Sequence, residues 1–293
     1  MKVPAIDLPT HSRIRLGSQT TPHPCFGRAK AWLVLLGFTL GWACPAWTQP
    51  PPYGGSFFEV EGHQVHYVQK GEGPPLLLLH GGGTWLYSWR NVIDSLALYF
   101  TVLAVDLPGH GYTVSEAPQY SLDDYSAFIS QVLNHLGWER ATLMGNSWGG
   151  GWALHFAQQY PERVSALVLL APAGLDRPDV PDWEILKYPV LGELSTLFLT
   201  RGLVRTSYEK LYRCPGALTP EVVEYTYQAM VIPQNRKAMY RIKRQCDWSV
   251  TEQALEDVAC PTLVLWGDAD AYNPVEYAEE FGRQIPKAKV VIG

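Results

Sequence analysis

The chain has 293 residues, 47% of them hydrophobic, which is enough for one large buried core or for a core with an insertion. Its net charge of −5 is unevenly distributed, because the first 46 residues carry five basic and one acidic side chains, which leaves −9 for the remainder. This acidic remainder has no cluster of Lys and Arg. Since contacts to phosphate need such clusters, we do not expect nucleic acid as a partner.

The N-terminal segment has the order of an export signal. Arg28 and Lys30 precede an apolar run at 31–43, and Ala46 then offers a small residue for cleavage before a Pro-rich stretch. The part ahead of the run is long, so two alternatives stay open: an uncleaved membrane anchor through residues 31–47, and a wrongly assigned start codon. We expect a protein that is exported (periplasmic or secreted) or anchored, with membrane contact only through this segment.

The cysteines support neither a disulfide framework nor a metal site. Of the five, Cys25 and Cys44 would be lost on cleavage, which leaves an odd number: Cys214, Cys246 and Cys260. A Cys214–Cys246 disulfide is conceivable in an exported protein, but we favour small buried thiols. No Cys or His spacing is that of a metal site, so no metal is expected.

The first elements after the Pro-rich linker are strands. Residues 57–60 and 64–69 flank Glu61-Gly62, which predicts a hairpin. Residues 76–79 are consecutive leucines, and 100–105 are again mostly apolar. A strand that is apolar on both faces belongs in a parallel sheet covered by helices.

Strands and helices then alternate. Ser121 and Asp124 form a capping box at the start of a helix, and Gly137 lies past its end. Further strands are predicted at 141–144, 166–170, 262–266 and 289–292, and a further helix at 274–281. The alternation predicts an α/β fold, with a mostly parallel sheet and helices on both faces.

Residues 173–257 interrupt the alternation and have a mostly helical pattern. Thr219-Pro220-Glu221 is typical of a helix start. Apolar side chains recur at helical spacing earlier in the segment: Trp183, Leu186, Val190, Leu194, Leu197 and Phe198. We interpret the insertion as a helical cap whose aromatic side chains pack rather than bind substrate. The predicted organisation is a leader and linker at 1–54, a core in two parts at 55–172 and 258–293, and the cap between them.

The motif that carries chemistry is Gly145-Asn146-Ser147-Trp148-Gly149, which joins a predicted strand to a predicted helix. This is the pattern of a nucleophile elbow, a serine on a sharp turn flanked by glycines because a Cβ there would clash. The helix that follows has an apolar stripe: Gly149, Trp152, Ala153, Phe156 and Tyr160. The strand, turn and helix that the motif requires are therefore present.

Four separated motifs in one order make residues 55–293 resemble the α/β-hydrolase superfamily. They are His80-Gly81-Gly82-Gly83 after the third strand, Asp106-Leu107-Pro108-Gly109-His110-Gly111 after the fourth, the elbow after the fifth, and Gly267-Asp268-Ala269-Asp270 after the cap. Trp89 and the Asn146-Ser147 pair are similar to capped esterases, carbon–carbon bond hydrolases and prolyl aminopeptidases rather than to lipases.

The resemblance implies acyl transfer with Ser147 as the nucleophile. The oxyanion would be bound by the backbone N–H groups of Trp148 and Gly82, with Gly83 as the alternative to Gly82. A serine at the elbow excludes the haloalkane dehalogenases and epoxide hydrolases of this fold, which use an aspartate there. No cofactor is implied.

A catalytic triad also needs a base and an acid that orients it. Asp270 fits the orienting role by its spacing from the preceding glycine, and Asp268 is the alternative. In the family the histidine base follows the final strand, and this sequence stops at Gly293, on the threshold of that loop. None of the eight histidines replaces it convincingly, since His80 and His110 lie in motif turns where structural roles are expected. Either the chain is a truncated copy of an active enzyme, which we favour, or it is a non-catalytic relative.

The sequence therefore predicts an exported, capped serine hydrolase that cleaves an ester or related carbonyl bond of a small molecule through an acyl-enzyme. Three alternatives stay open: carbon–carbon hydrolysis, aminopeptidase action, and a binding or scaffold protein that keeps the pocket without chemistry. The acyl group, the leaving group and the oligomeric state are not predicted.

Overall fold

Nine strands form one sheet in the computed structural model, which describes residues 50–212 and 216–293. They are β1 Ser56–Val60, β2 His63–Lys70, β3 Pro75–Leu79, β4 Thr101–Val105, β5 Val114–Ser115, β6 Ala141–Asn146, β7 Val164–Leu170, β8 Thr262–Trp266 and β9 Ala288–Ile292. The order across the sheet is β1-β2-β4-β3-β6-β7-β8-β9, and β5 pairs with β2. The three strands β1, β2 and β5 pair antiparallel, and the other six run parallel.

The strand types follow from the side chains. β3 lies between β4 and β6 in the middle of the sheet, and its leucines at 76–79 are buried on both faces, as their continuous apolar run predicts. The hairpin predicted around Glu61-Gly62 is confirmed, because β1 pairs with β2 and both turn residues have positive φ angles, 31° and 84°. The predicted α/β class with a mostly parallel sheet is confirmed.

Ten α-helices accompany the sheet among the described residues. They are α1 Ile93–Leu96, α2 Leu122–His135, α3 Trp148–Gln159, α4 Pro181–Glu184, α5 Leu191–Leu197, α6 Arg201–Leu211, α7 Pro220–Met230, α8 Pro233–Gln245, α9 Trp248–Gln253 and α10 Glu276–Gln284. The capping box predicted at α2 is present, with the Asp124 N–H donating to Ser121 Oγ and the Ser121 N–H donating to Asp124 Oδ2 at 2.8 Å. α2 packs on α3 through Tyr125 and Trp152, whose ring centroids are 3.8 Å apart.

The chain between β7 and β8 forms helices and no strand in its described part. Thr219 begins α7 as predicted, since its Oγ1 accepts a hydrogen bond from the Val222 N–H at 3.3 Å. The earlier part is not one long helix: α4 and α5 are separated, and Val190 before α5 has a φ angle of 69°. That this segment is a cap with limits at 173 and 257 stays a prediction.

Two expectations about burial are wrong, and one buried polar residue was not foreseen. His155 is buried because α3 lies against both the sheet and α2. Tyr160, assigned to that stripe, is exposed, because α3 ends at Gln159. The expected packing of the cap segment also fails for Phe198, which is exposed together with several aliphatic neighbours.

The predictions about cysteines and about the apolar N-terminal run concern residues of which the structure describes only some. Cys246 and Cys260 are free thiols, and burial raises the pKa of Cys246 to about 12. Cys214 and the run at 31–43 lie outside the described residues. Within residues 50–212 and 216–293, none of the helices has the length and apolar character needed to span a membrane.

Close backbone packing holds the turn from β6 into α3. A Cβ on Gly149 would overlap the carbonyl oxygens of Leu79 and His80. These oxygens belong to backbone at the end of β3, which is paired with a strand on each side and cannot yield easily. Only glycine lets α3 approach the sheet this closely.

We therefore expect Gly149→Ala to lower the free energy of unfolding by about 2 kcal/mol or more, because overpacking against fixed backbone is destabilising. Gly202→Ala is the matched control, since Gly202 is an exposed position of α6 where an added Cβ meets Thr200 Oγ1 at 3.7 Å, an ordinary contact. Urea and thermal unfolding of both variants measure the difference. Equal stability of the two would contradict the packing explanation.

Candidate active site

Ser147 lies between β6 and α3 with a strained backbone. Its φ and ψ angles are 50° and −120°, a region that non-glycine residues seldom occupy. Hydrogen bonds hold the strained residue on both sides: its N–H donates to the Leu170 carbonyl at 3.0 Å, and its carbonyl accepts from the Ala173 N–H at 2.8 Å. A turn of this kind presents the side chain at the edge of the sheet where the parallel strands end.

The loop after β3 lies against this turn. β3 and β6 are neighbouring parallel strands, so their carboxyl ends meet. A Cβ on Gly81 would lie 3.2 Å from Cβ of Ser147, and one on Gly82 would lie 2.5 Å from the Trp148 ring. Trp148 is the first residue of α3, and the first N–H groups of a helix have no acceptor within it.

Buried polar side chains fix the conformation of that loop. The Leu107 N–H donates to Nε2 of His80 at 3.1 Å, so Nδ1 carries the proton and donates to the Gly81 carbonyl at 2.9 Å. Burial lowers the pKa of His80, which keeps the ring neutral. Further along, the Leu86 N–H donates to Oδ1 of Asp106 at 2.7 Å. Fixed in this way, loop amides can bind a developing charge without rearrangement.

Asp106, directly after β4, accepts several hydrogen bonds that connect the loops of this region. Its carboxylate is fully buried and also accepts hydrogen bonds from Nδ1 of His66 at 2.7 Å and from the Tyr112 N–H at 2.8 Å. The Thr113 hydroxyl donates to its backbone carbonyl at 2.6 Å. The motif that begins at Asp106 therefore anchors the neighbouring loops and does not reach the site itself.

Asp270, not Asp268, faces the site. Oδ1 of Asp270 accepts hydrogen bonds from the N–H groups of Tyr272 at 2.8 Å and Asn273 at 3.0 Å, which fix the carboxylate in the loop after β8. Asp268 is exposed to solvent and does not line the cavity described next. Of the two candidates, only Asp270 shares that cavity with Ser147.

One cavity of about 790 Å³ brings the predicted site residues together. Its walls include Gly82, Ser147, Trp148 and Asp270, together with Gly83, the alternative oxyanion donor. The segment between β7 and β8 contributes a further wall: Trp183, Leu186, Val204, Tyr208, Met230 and Met239. The volume is that of a site for a small molecule. The catalytic roles of these residues stay predictions.

Apart from Asp270, the charged residues of the cavity wall are already in ion pairs. Arg177 and Lys210 are the basic side chains among its described lining residues. Arg177 lies 2.8 Å from Glu252, and Lys210 lies 3.0 Å from Asp182. Asp179 on the same wall pairs with the buried Lys243. Apart from Asp270, a ligand would therefore meet ion pairs rather than unpaired charged groups.

The six described histidines have partners of their own. They are His63 with Ser115, His66 with Asp106, His80 with Leu107, His110 with Pro108, His135 stacked on Phe58, and His155 with Asp123. Burial lowers the pKa of His110 to about 3, so it is neutral, as His80 is. Within the described part of the chain, no side chain is hydrogen-bonded to the Ser147 hydroxyl.

Tyr208 is a site residue that the sequence did not reveal. It lies in α6, lines the cavity, and directs its hydroxyl to the Gly83 carbonyl at 3.4 Å. Burial raises the pKa of Tyr208 to about 12, so the hydroxyl stays protonated as a donor. No pattern in the sequence pairs two positions that are 125 residues apart.

Comparison with known proteins shows the family of the chain. The family model for the alpha/beta hydrolase fold matches residues 74–293, which is most of the chain. The chain therefore belongs to the α/β-hydrolase fold family, and the resemblance inferred from its four motifs is confirmed.

Two relatives and one solved structure illustrate the range of the family. The chain is 29% identical to the 2-hydroxy-6-oxo-6-(2'-aminophenyl)hexa-2,4-dienoic acid hydrolase of Metapseudomonas resinovorans, over 77% of this chain and 78% of the relative. It is 36% identical to haloalkane dehalogenase 2 of Mycobacterium tuberculosis over a shorter match, 40% of this chain and 42% of the relative. A meta-cleavage product hydrolase from Pseudomonas fluorescens IP01 has a TM-score of 0.71 at 24% identity, over 81% of this chain and 88% of that one. The relatives support a hydrolase that acts on a small molecule, and the structural match shows the fold.

Proposed function

We propose that the protein is a serine hydrolase that cleaves an ester or related carbonyl bond of a small molecule through an acyl-enzyme. The observation that carries the proposal is the strained Ser147, which shares one cavity with Asp270 and with the loop at Gly82. Strain at a non-glycine residue costs free energy and clusters at functional sites.

In the proposed reaction the Ser147 hydroxyl attacks the carbonyl carbon, and its proton passes to a base. The N–H groups of Trp148 and Gly82 bind the oxyanion, and one such donor contributes about 3 kcal/mol to lowering the barrier. The tetrahedral intermediate collapses as the base returns the proton to the leaving alcohol. Water then attacks the acyl-enzyme, and Ser147 leaves as the neutral hydroxyl. Asp270 orients the base and stabilises its charged form.

We propose a histidine in the loop after β9 as the base, because the end of β9 lies beside the loop that carries Asp270. The Gly293 N–H donates to the Trp266 carbonyl at 3.0 Å, and the Gly293 carbonyl accepts from the Asp268 N–H at 3.2 Å. A residue that followed Gly293 would therefore leave the sheet beside the loop that carries Asp270. Reading the coding sequence past codon 293 tests this assignment. A histidine within about fifteen residues supports it, and a stop codon would favour the non-catalytic alternative.

The paired charges of the cavity favour an uncharged substrate. Arg177 and Lys210 each already hold a carboxylate, so a substrate carboxylate would have to displace one or lose its hydration without a partner. The indole and aliphatic side chains of the wall suit an apolar acyl or alcohol group instead. We therefore place an uncharged ester first.

Carbon–carbon hydrolysis is the second candidate. It is favoured by the Metapseudomonas resinovorans relative, which is named for a dienoic acid and aligns with most of this chain. The carboxylate of such a substrate would find the basic side chains of this cavity already paired with other carboxylates. Initial rates on p-nitrophenyl esters, vinylogous diketones and prolyl amides separate ester, carbon–carbon and aminopeptidase activity.

We expect a fluorophosphonate probe to label the protein that carries the proposed base, and Ser147→Ala to abolish the labelling and lower ester hydrolysis by at least about 1,000-fold. Ser195→Ala is the matched control, because Ser195 lines the same cavity and its hydroxyl donates to the Gly192 carbonyl at 2.8 Å. Intact mass spectrometry and initial rates give the two readouts. A wild-type protein that takes no label would support a binding protein without chemistry.

The two acidic candidates can be separated by paired substitutions. We expect Asp270→Asn to lower kcat by about 10⁴-fold, because an amide favours the wrong tautomer of the base. Asp268→Asn should leave kcat nearly unchanged, since Asp268 is exposed and lies outside the cavity. Steady-state kinetics on one ester, with thermal unfolding as the folding control, decide between them. The opposite ranking would assign the role to Asp268.

We also propose that residues 28–47 carry the protein out of the cytoplasm. The support is the order of basic residues, apolar run and small residue in the sequence. The intact mass of the protein from each cell fraction is the measurement. A mass that lacks the first 46 residues indicates cleavage, and full length in the membrane fraction indicates an anchor. Full-length protein found only in the cytosol would contradict the proposal.

A further inference from the structure

Exposed apolar side chains are concentrated in one stretch of the molecule. Of the seventeen large hydrophobic side chains that are exposed among the described residues, nine lie between 185 and 211. They are Ile185, Tyr188, Val190, Leu191, Leu194, Leu197, Phe198, Leu203 and Leu211, and they are termed the outer apolar face below. The turn at 185–187 packs against α5, and residues of this turn and of α6 line the same cavity, which brings these segments together. Large exposed apolar patches mark surfaces that bind other molecules.

The outer apolar face is continuous with the wall of the cavity. Ile185, Leu203 and Leu211 belong to both, because they line the cavity and are also exposed on the outside. An apolar chain that lies on the outer face therefore contacts side chains that line the cavity of Ser147.

α6 connects the outer apolar face to the predicted oxyanion loop. Leu203 and Leu211 are exposed on this helix, whereas Tyr208 on the same helix directs its hydroxyl to the Gly83 carbonyl at 3.4 Å. A surface bound to the exposed side of α6 would therefore be separated only by this helix from the loop that is predicted to bind the oxyanion.

The composition of the outer apolar face fits lipid better than protein. Seven of its nine side chains are aliphatic, whereas hot spots of protein interfaces are enriched in Trp, Tyr and Arg and poor in Leu and Val. Surfaces that lie in the membrane interface present Leu and Phe to the acyl chains. The sequence also holds an apolar run at 31–43, which would keep the protein beside a bilayer if it acts as an anchor.

The charges near this face are balanced. Four basic side chains lie in the same stretch, and each is within 4 Å of a carboxylate: Lys187, Arg201, Arg205 and Lys210. Docking would therefore depend on burial of apolar surface and only weakly on anionic lipid.

We propose that the outer apolar face docks the protein onto a lipid bilayer, and that an uncharged, amphiphilic ester enters the cavity from that bilayer. The identity of the substrate rests on the proposed serine hydrolase function. The docking does not, since it needs no chemistry at Ser147.

Hydrogen exchange of the full chain with phosphatidylcholine vesicles tests the docking. We expect amide exchange in peptides from 191–211 to slow when vesicles are added, because burial of this face stabilises α5 and α6. Exchange in peptides around Leu98 and Tyr99, which are exposed elsewhere, should not change. Vesicle binding without protection of 191–211 would overturn the proposal, since binding would then occur through another segment such as residues 31–47.

A matched pair of double variants gives the second readout. Leu197→Asp with Phe198→Asp replaces side chains that are 59% and 69% exposed, and Leu98→Asp with Tyr99→Asp replaces a similar pair that is 75% and 71% exposed. The first variant should lower vesicle partitioning by about tenfold or more and the second should not. If light scattering instead shows a dimer that only the first variant dissolves, with no vesicle binding, the face binds a second copy and the proposal fails.

Activity separates docking from chemistry. Ser147→Ala should bind vesicles like the wild type, so a failed hydrolase assignment leaves the docking result intact. In an active protein, the Leu197→Asp and Phe198→Asp double variant should slow hydrolysis of a vesicle-embedded long-chain ester by about tenfold, in line with its lost partitioning. Its hydrolysis of soluble p-nitrophenyl acetate should equal that of the wild type. Equal activity of variant and wild type on both esters would overturn the entry route.

Discussion

Ser147 keeps a backbone conformation that costs about 1–3 kcal/mol, and it can do so only because the surrounding backbone leaves no alternative. Hydrogen bonds to Leu170 and Ala173 hold the residue from the β7 side, and α3 is pressed against the end of β3 at Gly149. The same contact brings the loop after β3 against the start of α3. The strain of the serine and the position of the amides at Gly82 and Trp148 thus have one cause, the close approach of helix and sheet.

Behind this contact lies a layer of buried polar groups that do not touch the cavity. Asp106 and His80 satisfy backbone N–H groups and side chains at the ends of β3 and β4, and the neutral state of His80 follows from its burial. Loss of such partners would leave buried donors unpaired, at about 1–3 kcal/mol each. His80 and Asp106 therefore act as supports that keep the loop at Gly82 in place, in line with the structural role expected of the His80 turn.

The helical segment between β7 and β8 lines the cavity on one side and is exposed to solvent on the other. Its inner side supplies apolar walls and Tyr208 to the cavity, and its outer side leaves Leu197 and Phe198 exposed to solvent. A cavity with apolar walls whose basic side chains are already paired suits an uncharged molecule, and the outer apolar face suits a lipid bilayer, in which such molecules dissolve. The proposed substrate choice and the proposed membrane docking depend on the same helices.

The sequence by itself determined the sheet, the elbow and the family, because these depend on short-range patterns: consecutive leucines for buried parallel strands, glycines for close approach, and a capping box for α2. It also selected Ser147 and ranked Asp270 above Asp268. Only the tertiary structure showed that these residues share one cavity, that His155 is buried and that Tyr208 reaches Gly83, because such contacts join positions far apart in the chain. The apolar spacing at 183–198 predicted helical structure, which the chain forms in two separate helices, α4 and α5. Periodicity cannot tell a side chain that packs inside from one that is exposed, such as Phe198.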